Sequence, residues 1–147
     1  MKVLVTGVGG QLGYDVIKEL EKRNIDCIGA DKVEFDITDF GAAHKFITDY
    51  MPDAVIHCSA YTAVDKAEEE RELCYDVNVN GTKYLVKYAN QVGAKFIYIS
   101  TDYVFNGTKD GTYEVDDISD PVNYYGETKW IGEEVVRAYF NHIIVRI

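Results

Sequence analysis

The sequence has few of the residues that mark secreted, metal-binding or membrane proteins. Its three cysteines show neither the CxxC spacing nor the Cys/His clustering of zinc sites: Cys27, Cys58 and Cys74. We therefore expect no disulfide and no bound metal. No segment approaches the roughly 20 consecutive apolar residues that span a bilayer. Met1 runs directly into the strand-like KVLVTG without a signal-peptide layout, so we expect a cytoplasmic location and no membrane partner.

Basic residues and prolines are also scarce. The 15 lysines and arginines are outnumbered by 25 aspartates and glutamates, which gives a net charge of -10. A charge of this sign repels a phosphate backbone, so we expect no nucleic-acid partner. With only two prolines, no low-complexity run and 47% hydrophobic residues, the 147 residues are typical of one folded domain with a single core.

Apolar segments alternate along the chain with segments of helical periodicity. We predict strands at residues 2–6, 25–30, 54–58, 95–100 and 142–147, and helices at 11–23, 39–50, 66–91 and 124–140. Strands that are apolar on both faces and separated by helices form parallel sheets that are covered on both sides. The sequence therefore predicts an α/β fold, a Rossmann-like doubly wound parallel sheet with helices on both faces.

The stretch TGVGGQLGY joins the first predicted strand to the first helix. Its GxxGxxG spacing puts Gly7 in the turn, Gly10 where the backbone would approach a pyrophosphate, and Gly13 where helix and strand pack closely. Gln11 and Leu12 begin the helix, where free amides and the helix dipole favour an anion. The alternative is a strand-to-helix connection without a ligand, because the motif alone is only moderately specific.

An acid, Asp31, follows the second predicted strand, 18 residues beyond Gly13. In dinucleotide-binding folds a carboxylate at this position accepts hydrogen bonds from ribose hydroxyls and disfavours an added 2′-phosphate. The alternative is a solvated loop acid whose charge is partly offset by Lys32. The position slightly favours NAD(H) as the cofactor and leaves NADP(H) open.

Tyr125 and Lys129 lie four residues apart on a predicted helix, so both side chains share one face. A neighbouring ammonium lowers the pKa of a phenol toward the range in which it serves as an acid or base. The pair alone is weak evidence, because the chain holds 12 tyrosines. Ser100 and Thr101 strengthen it, since they follow the fourth strand to the carboxyl edge where such sheets bind ligands.

Five motifs stand in an order that resembles the extended short-chain dehydrogenase/reductases, and among them the dTDP-4-dehydrorhamnose reductase family. They are TGxxGxxG at 6–13, SAYTAVDKAE at 59–68, NVNGT at 78–82, STDYVFNGT at 100–108 and YGETK at 125–129. The resemblance implies the reduction of a 4-keto sugar nucleotide, dTDP-4-dehydrorhamnose, to dTDP-L-rhamnose by NAD(P)H. It also implies three catalytic residues: Thr101, Tyr125 and Lys129.

The same resemblance extends the expected cofactor site beyond the glycines and Asp31. Tyr125 and Lys129 are expected to contact the cofactor as well as to act in catalysis. Five further residues are expected to contact the cofactor or to support its site: Asp36, Ile37, Ala60, Tyr61 and Asn78.

One position distinguishes reductases from related dehydratases. Sugar-nucleotide 4,6-dehydratases carry a Thr-Asp-Glu run in which the glutamate serves as the base, whereas this chain has Thr101, Asp102 and Tyr103. The loss of the glutamate favours simple ketone reduction. Tyr103 is then a candidate contact for the sugar, and a packed aromatic is the alternative.

Members of this family continue into a C-terminal domain that binds the sugar nucleotide. We therefore expect residues 1–147 to form the NAD(P)-binding domain, poorly active by itself, with the sugar-nucleotide domain absent. Two other functions stay open: a non-catalytic NAD(P)-binding regulatory subunit, such as the one for methionine adenosyltransferase, and another sugar-nucleotide epimerase or dehydratase. Self-association into a homodimer also stays open.

Overall fold

The computed structural model describes residues 1–147 and contains a single parallel sheet. Its strands are β1 (Lys2–Thr6), β2 (Asp26–Ala30), β3 (Ala54–His57), β4 (Lys95–Ser100) and β5 (His142–Arg146). They lie in the order β2-β1-β3-β4-β5, and every neighbouring pair is parallel. From β1 the sheet extends to β2 on one side and to β3, β4 and β5 on the other. The crevice between the carboxyl ends of β1 and β3 is therefore the topological switch point, where doubly wound sheets bind ligands.

Six α-helices connect or flank these strands. They are α1 (Gln11–Lys22), α2 (Phe40–Tyr50), α3 (Val64–Ala67), α4 (Arg71–Tyr75), α5 (Thr82–Gln91) and α6 (Tyr124–Arg137). A π-helical turn over Asp76–Gly81 joins α4 to α5, and a 3-10 turn over Asp102–Val104 follows β4. The apolar stretch of each helix falls short of the length and hydropathy that a membrane span requires.

The core lies on both faces of the sheet because successive strand residues point in opposite directions. On one face, Leu4 belongs to a cluster of 14 buried residues, which come from the strands, from α2, α5 and α6, and from the connecting segments at Phe35 and Ala94. On the other face, Val3 and Val5 pack against apolar side chains of α1. The predicted doubly wound α/β sheet, Rossmann-like and covered by helices on both sides, is confirmed.

The prediction of one continuous helix over residues 66–91 is wrong. The chain leaves helical geometry after Ala67, resumes it at Arg71, and then widens into the π-helical turn before α5 begins. Glu68 contributes to the first break, since its carboxylate accepts a hydrogen bond from the Tyr124 N–H at 2.8 Å and also pairs with Arg71. Tyr124 is distant from Glu68 in sequence, and the pairing with Arg71 depends on how the two side chains are oriented. Apolar periodicity therefore does not reveal either contact.

Met51, which ends α2, adopts a left-handed conformation with φ 52° and ψ 62°. Replacing it with glycine should raise the free energy of unfolding by about 0.5–1 kcal/mol, because glycine enters this region without a steric penalty on Cβ. The Met51 side chain is 54% exposed, so little packing is lost. Chemical denaturation measures the difference. Met51→Ala is the control, because it truncates the side chain but keeps Cβ; an equal gain in both variants would contradict the backbone explanation.

Candidate functional site

The glycine-rich turn brings the backbone of β1 and α1 unusually close together. Gly7 has a φ of +75°, and its N–H donates to the Ala30 carbonyl at 2.8 Å. A Cβ at Gly13 would lie 2.3 Å from the Gly7 carbonyl oxygen, whereas a Cβ at Gly10 would meet nothing nearer than 3.4 Å. Gly13 is therefore required for packing, whereas Gly10, which lines the cleft, would tolerate a Cβ in ordinary contact with the Gly7 carbonyl.

The first turn of α1 is suited to an anion. Gly10 is the N-cap residue, no side chain caps the helix, and the first turn carries no acid. The opening N–H groups of a helix have no partner within the helix, and the helix dipole adds positive potential there. Gln11 and Leu12 line the cleft at this point. The cradle at Gly10 and the uncapped helix together fit a pyrophosphate.

Asp31 holds the glycine-rich turn as well as lining the cleft. One carboxylate oxygen accepts from the Gly9 N–H and the other from the Lys32 N–H, both at 2.8 Å. A Cβ at Gly9 would lie 2.2 Å from the first of these oxygens. Sequence reasoning missed the role of Gly9, although its place between two motif glycines was a visible signal. The ammonium of Lys32 lies 3.5 Å from the carboxylate of Asp36.

A single cleft of about 520 Å³ extends from the glycine-rich turn to the start of α6. It brings together most of the residues that the sequence singled out. The predicted residues along its walls are Gly7, Gly10, Gln11, Leu12, Gly13, Asp31, Asp36, Ile37, Ala60, Thr101, Tyr125 and Lys129.

Three other predicted site residues lie outside the walls of the cleft. Asn78 is 1% exposed and lies behind the loop after β3, where its side-chain oxygen accepts from the Tyr61 N–H at 2.8 Å. Its amide nitrogen donates to the Thr128 hydroxyl on α6 at 3.0 Å. The hydroxyl of Tyr61 bonds to Glu70. Tyr103 is 46% exposed, and its ring meets the Tyr125 ring edge to face at 5.8 Å.

A buried chain of hydrogen bonds supports this arrangement from within the sheet. His57 is 1% exposed and lies 2.8 Å from the Thr6 hydroxyl through Nδ1 and 3.1 Å from the Thr82 hydroxyl through Nε2. Because Thr82 donates its own proton to the Asn78 carbonyl, we assign the imidazole proton to Nε2. Burial lowers the pKa of His57 to about 3, so the ring is neutral, as expected for a core histidine.

Sequence reasoning missed several residues that complete the walls. They lie near the carboxyl ends of β3 and β4, or in α4 and the π-helical turn that follows it: Cys58, Ser59, Thr62, Leu73, Val77 and Ile99 among others. The ends of β3 and β4 were predicted, so the topological rule that places ligands at carboxyl edges was the available signal for Ser59 and Ile99. Burial raises the pKa of the Cys58 thiol to about 11, which keeps it protonated at neutral pH.

The start of α6 positions the two residues of the YxxxK motif. Asn123 caps the helix by accepting from the Gly126 N–H at 2.7 Å, which fixes Tyr125 in the first turn. Lys129 follows one turn later and is 3% exposed. Its ammonium donates to the Ile99 carbonyl at 2.7 Å and lies 4.2 Å from the centre of the Tyr98 ring.

Burial dominates the ionisation of this pair. It lowers the pKa of Lys129 to about 7, although the negative charge of Glu133 acts in the opposite direction. Burial also raises the pKa of Tyr125, and hydrogen bonding with Thr101 only partly opposes it. The sequence predicts that Lys129 lowers the pKa of Tyr125, but the net direction in the structure is upward. A buried phenol is penalised when it becomes charged, and this penalty outweighs the effect of the Thr101 hydrogen bond on the pKa of Tyr125.

Known proteins with related sequences and structures share this architecture. The dTDP-4-dehydrorhamnose reductase of Mycolicibacterium smegmatis is 41% identical over 93% of this chain and 42% of its own length. A crystal structure of dTDP-4-dehydrorhamnose reductase from Bacillus anthracis in complex with NADP has a TM-score of 0.95 and 39% identity, over 99% of this chain and 52% of that one. Methionine adenosyltransferase 2 subunit beta of Bos taurus is 37% identical over 92% of this chain and 42% of its own length.

The chain thus spans about half the length of the curated relatives it matches, and these relatives include both reductases and an adenosyltransferase subunit. The model of one family, described as the RmlD substrate binding domain, matches the chain without interruption over residues 1–147. With this match and with its five-stranded doubly wound sheet, the chain belongs to the RmlD substrate binding domain family.

Proposed function

We propose that this chain is the NAD(P)-binding unit of a reductase that reduces the keto group of a 4-keto sugar nucleotide, in the formation of dTDP-L-rhamnose. One observation carries the proposal. A single cleft joins an anion cradle at the glycine-rich turn to Thr101, Tyr125 and Lys129 at its other end. The reductases among the relatives support it, and their greater length leaves room for a sugar-nucleotide domain outside these residues.

The chemistry of the walls fits a nicotinamide dinucleotide. Gly10, Gln11 and Leu12 would hold the pyrophosphate through backbone amides. Asp31 would accept hydrogen bonds from the adenosine ribose, which slightly favours NADH over NADPH. The complex of the Bacillus anthracis reductase with NADP supports the cofactor class and keeps NADPH within the proposal.

The remaining assigned residues would contact different parts of the same cofactor, from the adenine to the nicotinamide ribose. Asp36 and Ile37 would flank the adenine, Ala60 would lie along the middle, and Tyr125 and Lys129 would meet the nicotinamide ribose. Tyr61 and Asn78 would act from behind the wall, since the Asn78 amide holds the backbone of the loop that contains Ala60 and Tyr61.

Tyr125 has the protonation state that ketone reduction requires of its proton donor. When bound, reduced nicotinamide supplies a hydride to the carbonyl carbon. Tyr125 donates its proton to the carbonyl oxygen, and its raised pKa keeps the phenol protonated at neutral pH until then. Thr101 donates a hydrogen bond to the same oxygen, and Lys129 places a positive charge near the developing negative one.

The position of Tyr103 supports reduction rather than dehydration. Its ring is exposed beside Tyr125, where the base of a dehydratase would have to stand, and a phenol is a poor base for the loss of water. In this proposal Tyr103 would instead contact the sugar. A non-catalytic regulatory subunit is the second candidate, favoured by the similarity to methionine adenosyltransferase 2 subunit beta. The buried Thr101, Tyr125 and Lys129 favour the enzyme.

Asp31→Ala should weaken the binding of NADH more than that of NADPH. The variant loses an acceptor for the ribose hydroxyls and also loses the charge that repels a 2′-phosphate. We expect the preference for NADH to fall by about tenfold, or about 1.4 kcal/mol, in calorimetric titrations of the 147-residue chain with each cofactor. Asp31→Asn is the control, because an amide oxygen can still accept from the Gly9 N–H and hold the turn. Equal losses for both cofactors would contradict the ribose assignment, and a folded chain that binds neither would contradict the cofactor.

Gly10→Ala and Gly13→Ala form a matched pair that tests the cradle. The methyl group of Gly10→Ala would meet only the Gly7 carbonyl oxygen, at an ordinary contact distance of 3.4 Å, so folding stability should stay within about 1 kcal/mol while NADH affinity falls at least about tenfold. The methyl group of Gly13→Ala meets backbone at 2.3 Å and should lower the free energy of unfolding by about 1–3 kcal/mol. Thermal unfolding and calorimetry measure the two effects. Undiminished NADH affinity in Gly10→Ala would place the pyrophosphate elsewhere.

Tyr125→Phe should lower kcat by about 10²–10⁴-fold with little change in KM, since it removes the proton donor and keeps the ring. The measurement is steady-state reduction of a 4-keto sugar nucleotide in a chain of the relatives' full length. Tyr124→Phe is the control, because that ring packs against the Arg71 guanidinium outside the cleft. Equal turnover in the parent and in Tyr125→Phe would contradict the assigned role.

A further inference from the structure

The helix that carries Tyr125 and Lys129 also carries a fully buried acid. Glu133 lies one turn beyond Lys129 on the same face of α6, and its side chain is 0% exposed. Its two oxygens accept from the Arg146 Nε at 2.8 Å and the Arg146 Nη2 at 2.7 Å. Arg137 donates a further hydrogen bond at 2.9 Å. A carboxylate bound in this way stays charged and keeps one orientation.

Arg146 gives this ion pair a fixed place in the sheet. It is the last residue of β5 and stands opposite Ser100 of β4 in the strand register. The two parallel hydrogen bonds from Arg146 to Glu133, here called the fork, therefore hold α6 against the carboxyl edge of the sheet, beside Thr101. Burial would raise the pKa of Glu133, but its contacts with Arg146 and Arg137 outweigh burial and lower it.

Lys129 is buried without a direct anionic partner. Its ammonium donates to the Ile99 carbonyl and forms no salt bridge with any carboxylate. An isolated buried ammonium loses its proton readily, because burial disfavours the charged form. The groups that face it from the surrounding elements are neutral at pH 7 with one exception, Glu133; they are His57 of β3, Cys58 after β3, Cys74 of α4, Tyr98 of β4 and Tyr125 of α6.

We propose that Glu133 is a positioning residue for the catalytic group, and that its buried carboxylate, one helical turn away, is the negative charge that favours the ammonium form of Lys129. The effect of Glu133 on catalysis rests on the proposed function, because a charged Lys129 is the form that would assist Tyr125 and bind a ribose. The effect of Glu133 on the ionisation of Lys129 does not depend on that function. Arg146 and Arg137 hold the carboxylate in place and stop it from taking up a proton itself. Glu133 thus acts on the reaction through Lys129 without touching the cleft.

The test is a direct titration of Lys129 in the 147-residue chain. Lysine labelled with ¹³C at the ε position reports its own ionisation by NMR, and the Lys129 signal is identified by its loss in Lys129→Met. In the parent chain we expect the titration to give a pKa of about 7 for Lys129, because burial lowers it. Glu133→Gln keeps the shape of the side chain and removes its charge, so the pKa of Lys129 should fall by about one unit or more. An unchanged pKa in folded Glu133→Gln would overturn the proposal.

Glu134→Gln is the matched control on the neighbouring residue. It removes an equal charge from a side chain that is 53% exposed and also pairs with Arg137, so the pKa of Lys129 should stay at the parent value. Equal shifts in Glu133→Gln and Glu134→Gln would overturn the proposal, because they would show that only the net charge of the chain matters.

Arg146→Gln distinguishes an effect of the Glu133 charge from an effect of packing around α6. It keeps the proposal testable even if Glu133→Gln fails to fold. It breaks the fork but leaves the Glu133 carboxylate with Arg137, so the pKa of Lys129 should stay at the parent value or rise. A fall of about one unit in this variant would assign the effect to packing and overturn the proposal.

The titration needs no cofactor. A chain that binds no NADH or NADPH would therefore refute the proposed function alone, and an unshifted Lys129 in a chain that binds them would refute this inference alone.

Discussion

The approach of α1 to the end of β1 is the contact on which the cleft depends. The backbone at Gly13 passes so close to the Gly7 carbonyl that no side chain can stand between them. This contact turns the uncapped end of α1 toward the carboxyl edge of the sheet, next to the point where the strand order reverses. Asp31 holds the turn through the Gly9 N–H, so one carboxylate both shapes the turn and faces the cleft. The proposed anion site at this turn would therefore rest on backbone amides and on the helix dipole.

Polar groups buried behind the cleft connect its two ends. Thr6 at the end of β1 bonds to His57, His57 bonds to Thr82, and Thr82 bonds to the backbone of Asn78. The side chain of Asn78 then bonds to the loop after β3 and to Thr128 on α6. Each buried group in this series has a partner, so the series orients its members without the cost of an unpaired polar atom. The glycine-rich turn and the start of α6 are thereby connected through buried hydrogen bonds.

Local sequence pattern was sufficient for the sheet and for much of the cleft. Strand periodicity, the GxxGxxG spacing and the acid after β2 are properties of neighbouring residues, and the structure places Gly7, Gly13, Asp31, Tyr125 and Lys129 around one cavity. The same kind of reasoning was wrong for the helix over residues 66–91. Apolar periodicity continues through Glu68 and through the π-helical turn at Asp76–Gly81, while the interruptions depend on partners from other elements.

The sequence by itself determined the fold class, the order of its elements and which residues follow the strand ends, because these follow from the spacing of apolar and small residues. Only the tertiary structure decided the ionisation of Lys129 and Tyr125, since burial in the finished cleft sets the energy of their charged forms. It also decided that Asn78 lies behind the wall and that Glu133 meets Arg146, 13 residues further along the chain. Such pairings exist only after α6 packs on β4 and β5, because no local pattern encodes which distant side chains will share a buried space.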